Sequence, residues 1–131
     1  MGRQTMAENA GKIKGIMWIG IVLFLLWFLI FTFAPQGMLE SLDFFETEGY
    51  FLRMFGILPL AWLFLFLLAL KDPAKNLAII YCANLTAATL IIANLIYHFA
   101  VASITGWFVW ISLAILFIYN VILFMFKPKA A

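Results

Sequence analysis

A chain of 131 residues that is 67% hydrophobic, 11% charged and only +2 in formal charge lies outside the composition of soluble globular domains, and so small a charge argues against nucleic acid as a partner. Its single cysteine, Cys82, excludes an intramolecular disulfide and any cysteine-based metal cluster within one chain. Water is not the expected solvent; the lipid bilayer is.

Taken in order, Lys12 and Lys14 precede an apolar run over residues 16–34. That run is longer than the roughly 7–15 apolar residues of a signal peptide, and Pro35 would follow a cut awkwardly, so a retained span is expected. Gly2 follows Met1, but Met6 stands where a myristoylation signal has Ser or Thr, which argues against lipidation. Four segments, 16–34, 50–70, 77–102 and 107–126, approach the roughly 20 apolar residues that a helix needs to cross hydrocarbon. They lack the polar outer faces of helices in a soluble bundle. The expected fold is all-α: a single transmembrane domain over residues 1–131, built as a four-helix bundle.

Orientation follows from the basic residues. Arg3, Lys12 and Lys14 precede span one, Lys71 and Lys75 separate spans two and three, and Lys127 and Lys129 follow span four. The positive-inside rule therefore predicts an inner, cytoplasmic-membrane protein with both termini cytoplasmic. Glu40, Asp43, Glu46 and Glu48 fall on the opposite side. In that outer connection Met38, Leu39, Leu42 and Phe45 recur at helical spacing, which predicts a short amphipathic segment on the membrane surface. In the inner turn Asp72 is expected to cap the third spanning helix, with Pro73 at its first position.

Polar groups inside the spans supply the candidate site. Arg53, four residues past Gly49, lies about 6 Å into span two, and His98 about 7 Å from the outer end of span three, at about 1.5 Å per residue. Asn94 precedes His98 by one helical turn and shares its face. Arg53, Asn94 and His98 are thus candidate ligand-binding residues in one outer pocket. Pro59 removes the partner of the Phe55 carbonyl beside Gly56, where backbones can approach closely. The competing reading makes Arg53 a brace, with Asp43, Glu46 or Glu48 as its charge partner, and His98 a packed helix residue. Nearer the cytoplasm, Asn84 and Asn120 lie at matching depths and are expected to meet as an interhelical amide pair, typically worth about 1 kcal/mol.

Catalysis finds few openings. Cys82 and His98 are about 24 Å apart along one helix axis and cannot form a dyad or share a metal. There is no phosphate loop and no paired intramembrane carboxylate. No catalytic residue, metal site or cofactor is assigned.

The string Phe51-Leu52-Arg53-Met54-Phe55-Gly56, followed after a span by Asp72-Pro73-Ala74-Lys75-Asn76, resembles the small four-span bacterial membrane proteins grouped as DoxX-like or BphX-like. The resemblance covers spans two and three and the turn between them. It implies a four-helix membrane bundle in which Arg53 and Asp72-Pro73 belong to the shared pattern. Such proteins often accompany redox or aromatic-degradation enzymes, mostly without an established activity of their own.

Two functions stay open at this point. One is a non-enzymatic accessory or assembly subunit that binds a larger membrane complex, or a second copy of itself, through apolar helix faces. The other is a binding or transport protein for an anionic or quinone-like small molecule, with its site at Arg53, Asn94 and His98.

Overall fold

The computed structural model describes residues 2–42, 54–104 and 106–128, and these form helices joined by short connections, with no strand among them. In chain order the helices are α1 (Gly2–Phe33), α2 (Gln36–Ser41), α3 (Ile57–Ala69), α4 (Leu77–Ala100) and α5 (Trp107–Met125). Three stretches, Gly11–Phe33 within α1, then α4 and α5, are long and apolar enough to cross a membrane. A helix is the form in which such a segment satisfies its own backbone groups without water. Their outward faces carry large apolar side chains, among them Phe99 at 82% and Leu85 at 68% exposure. That surface suits lipid, and the chain reads as a multi-pass membrane protein.

The bounds of α4 and α5 lie within two residues of the expected spans. α1 does not: it starts at Gly2 and runs for 32 residues, about 48 Å at the helical rise. Nothing between Gly2 and Lys14 breaks a helix, since no proline occurs there and Gly11 and Gly15 lower helix propensity without forbidding it. The second expected span is shortened in the opposite sense. Met54 and Phe55 are helical, Gly56 is a turn with φ −60 and ψ −18, and α3 then runs for 13 residues from Ile57. Pro59 falls in the first turn of α3, where its missing N–H leaves no gap. The interruption at Gly56 lies where the Phe55 carbonyl loses its helical donor.

Between α3 and α4 the turn departs from expectation. Asp72 does not cap α4: its Oδ1 accepts the N–H of Lys75 at 3.3 Å, while Asn76 is the residue before Leu77, where α4 begins. Asp72 closes the turn itself, because Pro73 to Asn76 form one preliminary turn, with the Asn76 N–H donating to the Asp72 carbonyl at 3.2 Å. On the other side of the molecule α2 is the expected short helix, with Leu39 and Leu42 buried and Glu40 exposed. Met38, expected on the buried face, is 46% exposed.

α1 packs most extensively on α3 and α4 on α5, while contacts between α1 and α5 and between α3 and α4 are lighter. The buried core, which includes Ile13, Met17, Leu63, Phe66, Ile80 and Leu123, lies in the half of the molecule toward the lysines. There α5 meets α1 through Tyr119, whose hydroxyl donates to the Ile16 carbonyl at 2.8 Å. Gly20 makes this approach possible: a Cβ there would run into the Tyr119 hydroxyl and come within 2.7 Å of Cζ and 3.0 Å of the Phe66 ring. Glycines at such crossings let helices pack at backbone distance.

Gly20→Ala is accordingly expected to destabilise the protein by about 1–3 kcal/mol through overpacking, and Tyr119→Phe by about 1 kcal/mol through the lost hydrogen bond. The double variant should cost less than the sum, because removing the hydroxyl relieves the worst contact. Denaturant unfolding in detergent checks this, and strict additivity would show that the two side chains do not meet.

Candidate functional site

The half of the molecule away from the lysines is packed differently. Between the α1/α3 pair and the α4/α5 pair lies a cleft of about 420 Å³ to which all four helices contribute. Phe24, Trp27 and Phe31 enter it from α1 at spacings of three and four, the repeat that places side chains on one helical face. Phe55, Pro59 and Trp62 approach from the α3 side, and Phe108 from α5. Phe66, fully buried, lies beneath, with the rings of Phe24 and Trp62 edge-on to it at 5.2 and 6.5 Å. Phe31 and Phe108 meet edge-to-face at 6.1 Å. Aromatic rings prefer such tilted contacts to flat stacking, so the cleft wall presents both ring faces and ring edges.

The polar groups among the described residues that line it are few and uncharged. The Trp27 indole donates to Ser112 Oγ at 3.2 Å, tying α1 to α5 across the cleft. Asn94 lines the wall from α4; its Nδ2 donates to the Leu90 carbonyl at 2.8 Å, and its carbonyl oxygen accepts no hydrogen bond among the described residues. Thr86 adds a hydroxyl. No ionisable side chain is among the described residues that line it. An apolar cleft with a small number of neutral hydrogen-bonding groups is suited to an uncharged, largely hydrophobic ligand.

The residues singled out from sequence are distributed as follows. Asn94 faces the cleft. His98, one turn further on, does not line it: Nδ1 accepts the N–H of Ile104 at 2.9 Å, and the ring lies edge-to-face with Trp110 at 4.9 Å and Phe99 at 4.8 Å. The Trp110 indole in turn donates to the Ile104 carbonyl at 3.0 Å. Thus His98 and Trp110 together hold both backbone groups of Ile104 and shape the connection from α4 to α5. Asn84 is buried and Asn120 partly buried, yet they are not hydrogen-bonded to each other. Both amide atoms of Asn84, and Oδ1 of Asn120, are without a partner among the described residues. Arg53 and its expected charge partners Asp43, Glu46 and Glu48 lie outside the described residues, as does Phe45.

Two features went unread in the sequence although signals for them existed. A tyrosine hydroxyl inside an apolar segment needs an acceptor, and glycine within a span marks a possible close crossing; together these point to Tyr119 and Gly20. The aromatic series at 24, 27 and 31 likewise carries helical spacing. Compared with protein-family models, curated proteins and solved structures, the chain matches none.

His98→Ala is expected to destabilise the connection between α4 and α5 by about 1–3 kcal/mol, since it leaves the Ile104 N–H without its acceptor. Hydrogen exchange should show faster exchange at Ile104, with the α1–α5 contact at Tyr119 unchanged. Unaltered exchange at Ile104 would refute this role.

Proposed function

We propose that this chain is a non-enzymatic, multi-pass membrane protein that binds a neutral, ring-bearing, lipid-soluble molecule in the aromatic cleft. The observation that carries the proposal is the cleft itself: about 420 Å³ walled by aromatic side chains, with the acceptor of Asn94 and the hydroxyls of Ser112 and Thr86 as its polar points. A quinone-like ligand fits this chemistry. An anionic one would need a cation at the site, and Arg53 is the residue proposed for that purpose. The proposal includes a four-span bundle, with residues 50–70 as the second span, in a bacterial inner membrane. Kinship with the DoxX-like or BphX-like proteins belongs to the same proposal and rests on the strings at 51–56 and 72–76.

A second reading, an accessory subunit of a larger membrane complex or of a self-associated form, is favoured by the breadth of apolar surface on α4 and α5. Both readings meet in one experiment. Native mass spectrometry after mild extraction should show a small molecule retained at one per chain, lost when the cleft is filled by Ala83→Trp or Ala87→Trp. Loss on Arg53→Gln as well would bring the arginine into the site. A chain that carries no small molecule but always travels with a stoichiometric protein partner would replace the binding reading with the accessory one.

Orientation has its own check. With both termini cytoplasmic, a reporter active only in the cytoplasm should be active when fused after Ala131, and one active only outside should be silent there. The reverse pattern would invert the assignment.

A further inference from the structure

At the lysine end, α1, the α3–α4 turn and the chain leaving α5 surround a second, smaller hollow of about 150 Å³, lined by Ile13, Lys14, Lys71, Asp72, Pro73 and Pro128 among others. Ile13 and Pro73 are buried and give it an apolar floor. The hollow lies at the junction between spanning and non-spanning chain, since Gly11–Phe33 is the apolar part of α1 and α4 begins at Leu77. In a bilayer that junction falls near the headgroups.

The lysines at this end divide into two sets. Lys75 lies 3.9 Å from Asp72 Oδ2. Lys127 stands over the rings of Phe124 at 3.4 Å and Tyr81 at 5.4 Å, and Lys12 over Phe126 at 6.0 Å. Such cation–ring contacts partly satisfy an ammonium. Lys14 and Lys71 have no acidic or aromatic partner among the described residues, and they are the two that line the hollow. Asp72 also lines it, but its carboxylate is directed to Lys75, with Oδ1 accepting the Lys75 N–H and Oδ2 nearest the ammonium. Two unpartnered cations over an apolar floor are arranged for an oxyanion attached to an apolar body.

We propose that this hollow holds the phosphate of an anionic phospholipid headgroup, with Lys14 and Lys71 as its ligands and the Ile13–Pro73 floor against the glycerol and first acyl carbons. The site is independent of the aromatic cleft. Basic residues at a membrane surface attract anionic lipid generally; the hollow adds selection among the lysines, and the test separates the two effects.

The protein is placed in nanodiscs of phosphatidylcholine containing about a tenth of phosphatidylglycerol, and the lipid retained after gentle delipidation is measured by mass spectrometry. Phosphatidylglycerol should be enriched on the wild type, and the enrichment should fall roughly fivefold for each lysine removed in K14Q/K71Q. K12Q/K75Q removes the same charge from outside the hollow and should keep the enrichment, as should K14R/K71R. Equal losses in the two glutamine doubles would reduce the effect to general charge attraction and overturn the proposal. Acetylation footprinting needs no variant: phosphatidylglycerol discs should protect Lys14 and Lys71 relative to Lys12 and Lys75, and equal labelling of all four would overturn it. Inorganic phosphate titrated in neutral detergent separates the sources. Phosphate binding without phosphatidylglycerol enrichment would assign the hollow to a free anion and sink the lipid reading.

Discussion

The hydrogen bond from the Tyr119 hydroxyl to the Ile16 carbonyl, formed directly over Gly20, sets the crossing on which the rest of the arrangement depends. It brings α5 against α1 at the lysine end, where Ile13, Met17, Phe66 and Leu123 close into a core with almost no exposed surface. In lipid, helices gain little from hydrophobic burial against one another, so close fit and hydrogen bonds decide which faces meet. A glycine opposite a phenol supplies both. A second close contact holds α1 to the chain entering α3 at the other end. There a Cβ on Gly56 would strike Thr32 Oγ1 and lie 3.0 Å from the Phe31 Cβ.

The cleft follows from the same geometry. Gly20 on α1 and Ala69 on α3 lie in the packed half, whereas in the other half rings from α1, α5 and the α3 side face an α4 wall that includes Ala83, Ala87 and Leu90. The rings are braced edge-to-face, and space remains between them and α4. Trp27 and Ser112 then bridge the gap without filling it. The described lining is apolar apart from the Trp27 indole, the Asn94 amide and the hydroxyls of Ser112 and Thr86. The buried amide of Asn84, by contrast, carries a cost: an unpartnered polar group is disfavoured by about 1–3 kcal/mol.

The two ends of the molecule differ in electrostatics as much as in packing. One carries the lysines, of which Lys14 and Lys71, without acidic or aromatic partners among the described residues, line the smaller hollow. The other is organised by neutral contacts, with His98 and Trp110 gripping Ile104, and the Trp107 indole donating to the Ser41 carbonyl at 3.3 Å. Among the described residues that line the cleft, none carries an ionisable side chain.

Much of this was open to reading from residue order. Hydropathy alone determines an all-helical membrane chain and the extent of α4 and α5, because a segment in hydrocarbon must satisfy its backbone internally whatever its neighbours are. Proline and glycine chemistry likewise marks the break at Gly56, since the lost donor of Pro59 acts within its own helix. Spacing along a helix axis gives an expected depth, but depth alone does not specify a partner. Asn94 and His98 share a helical face, yet one reaches the cleft and the other turns to Ile104. Asn84 and Asn120, expected at matching depths, are not hydrogen-bonded to each other. Which faces of α1, α3, α4 and α5 meet depends on rotation about each helix axis, and a nearly uniform apolar surface carries little information about rotation. Only the tertiary structure decided it, through the Tyr119–Gly20 crossing and the bulk of the rings beyond it.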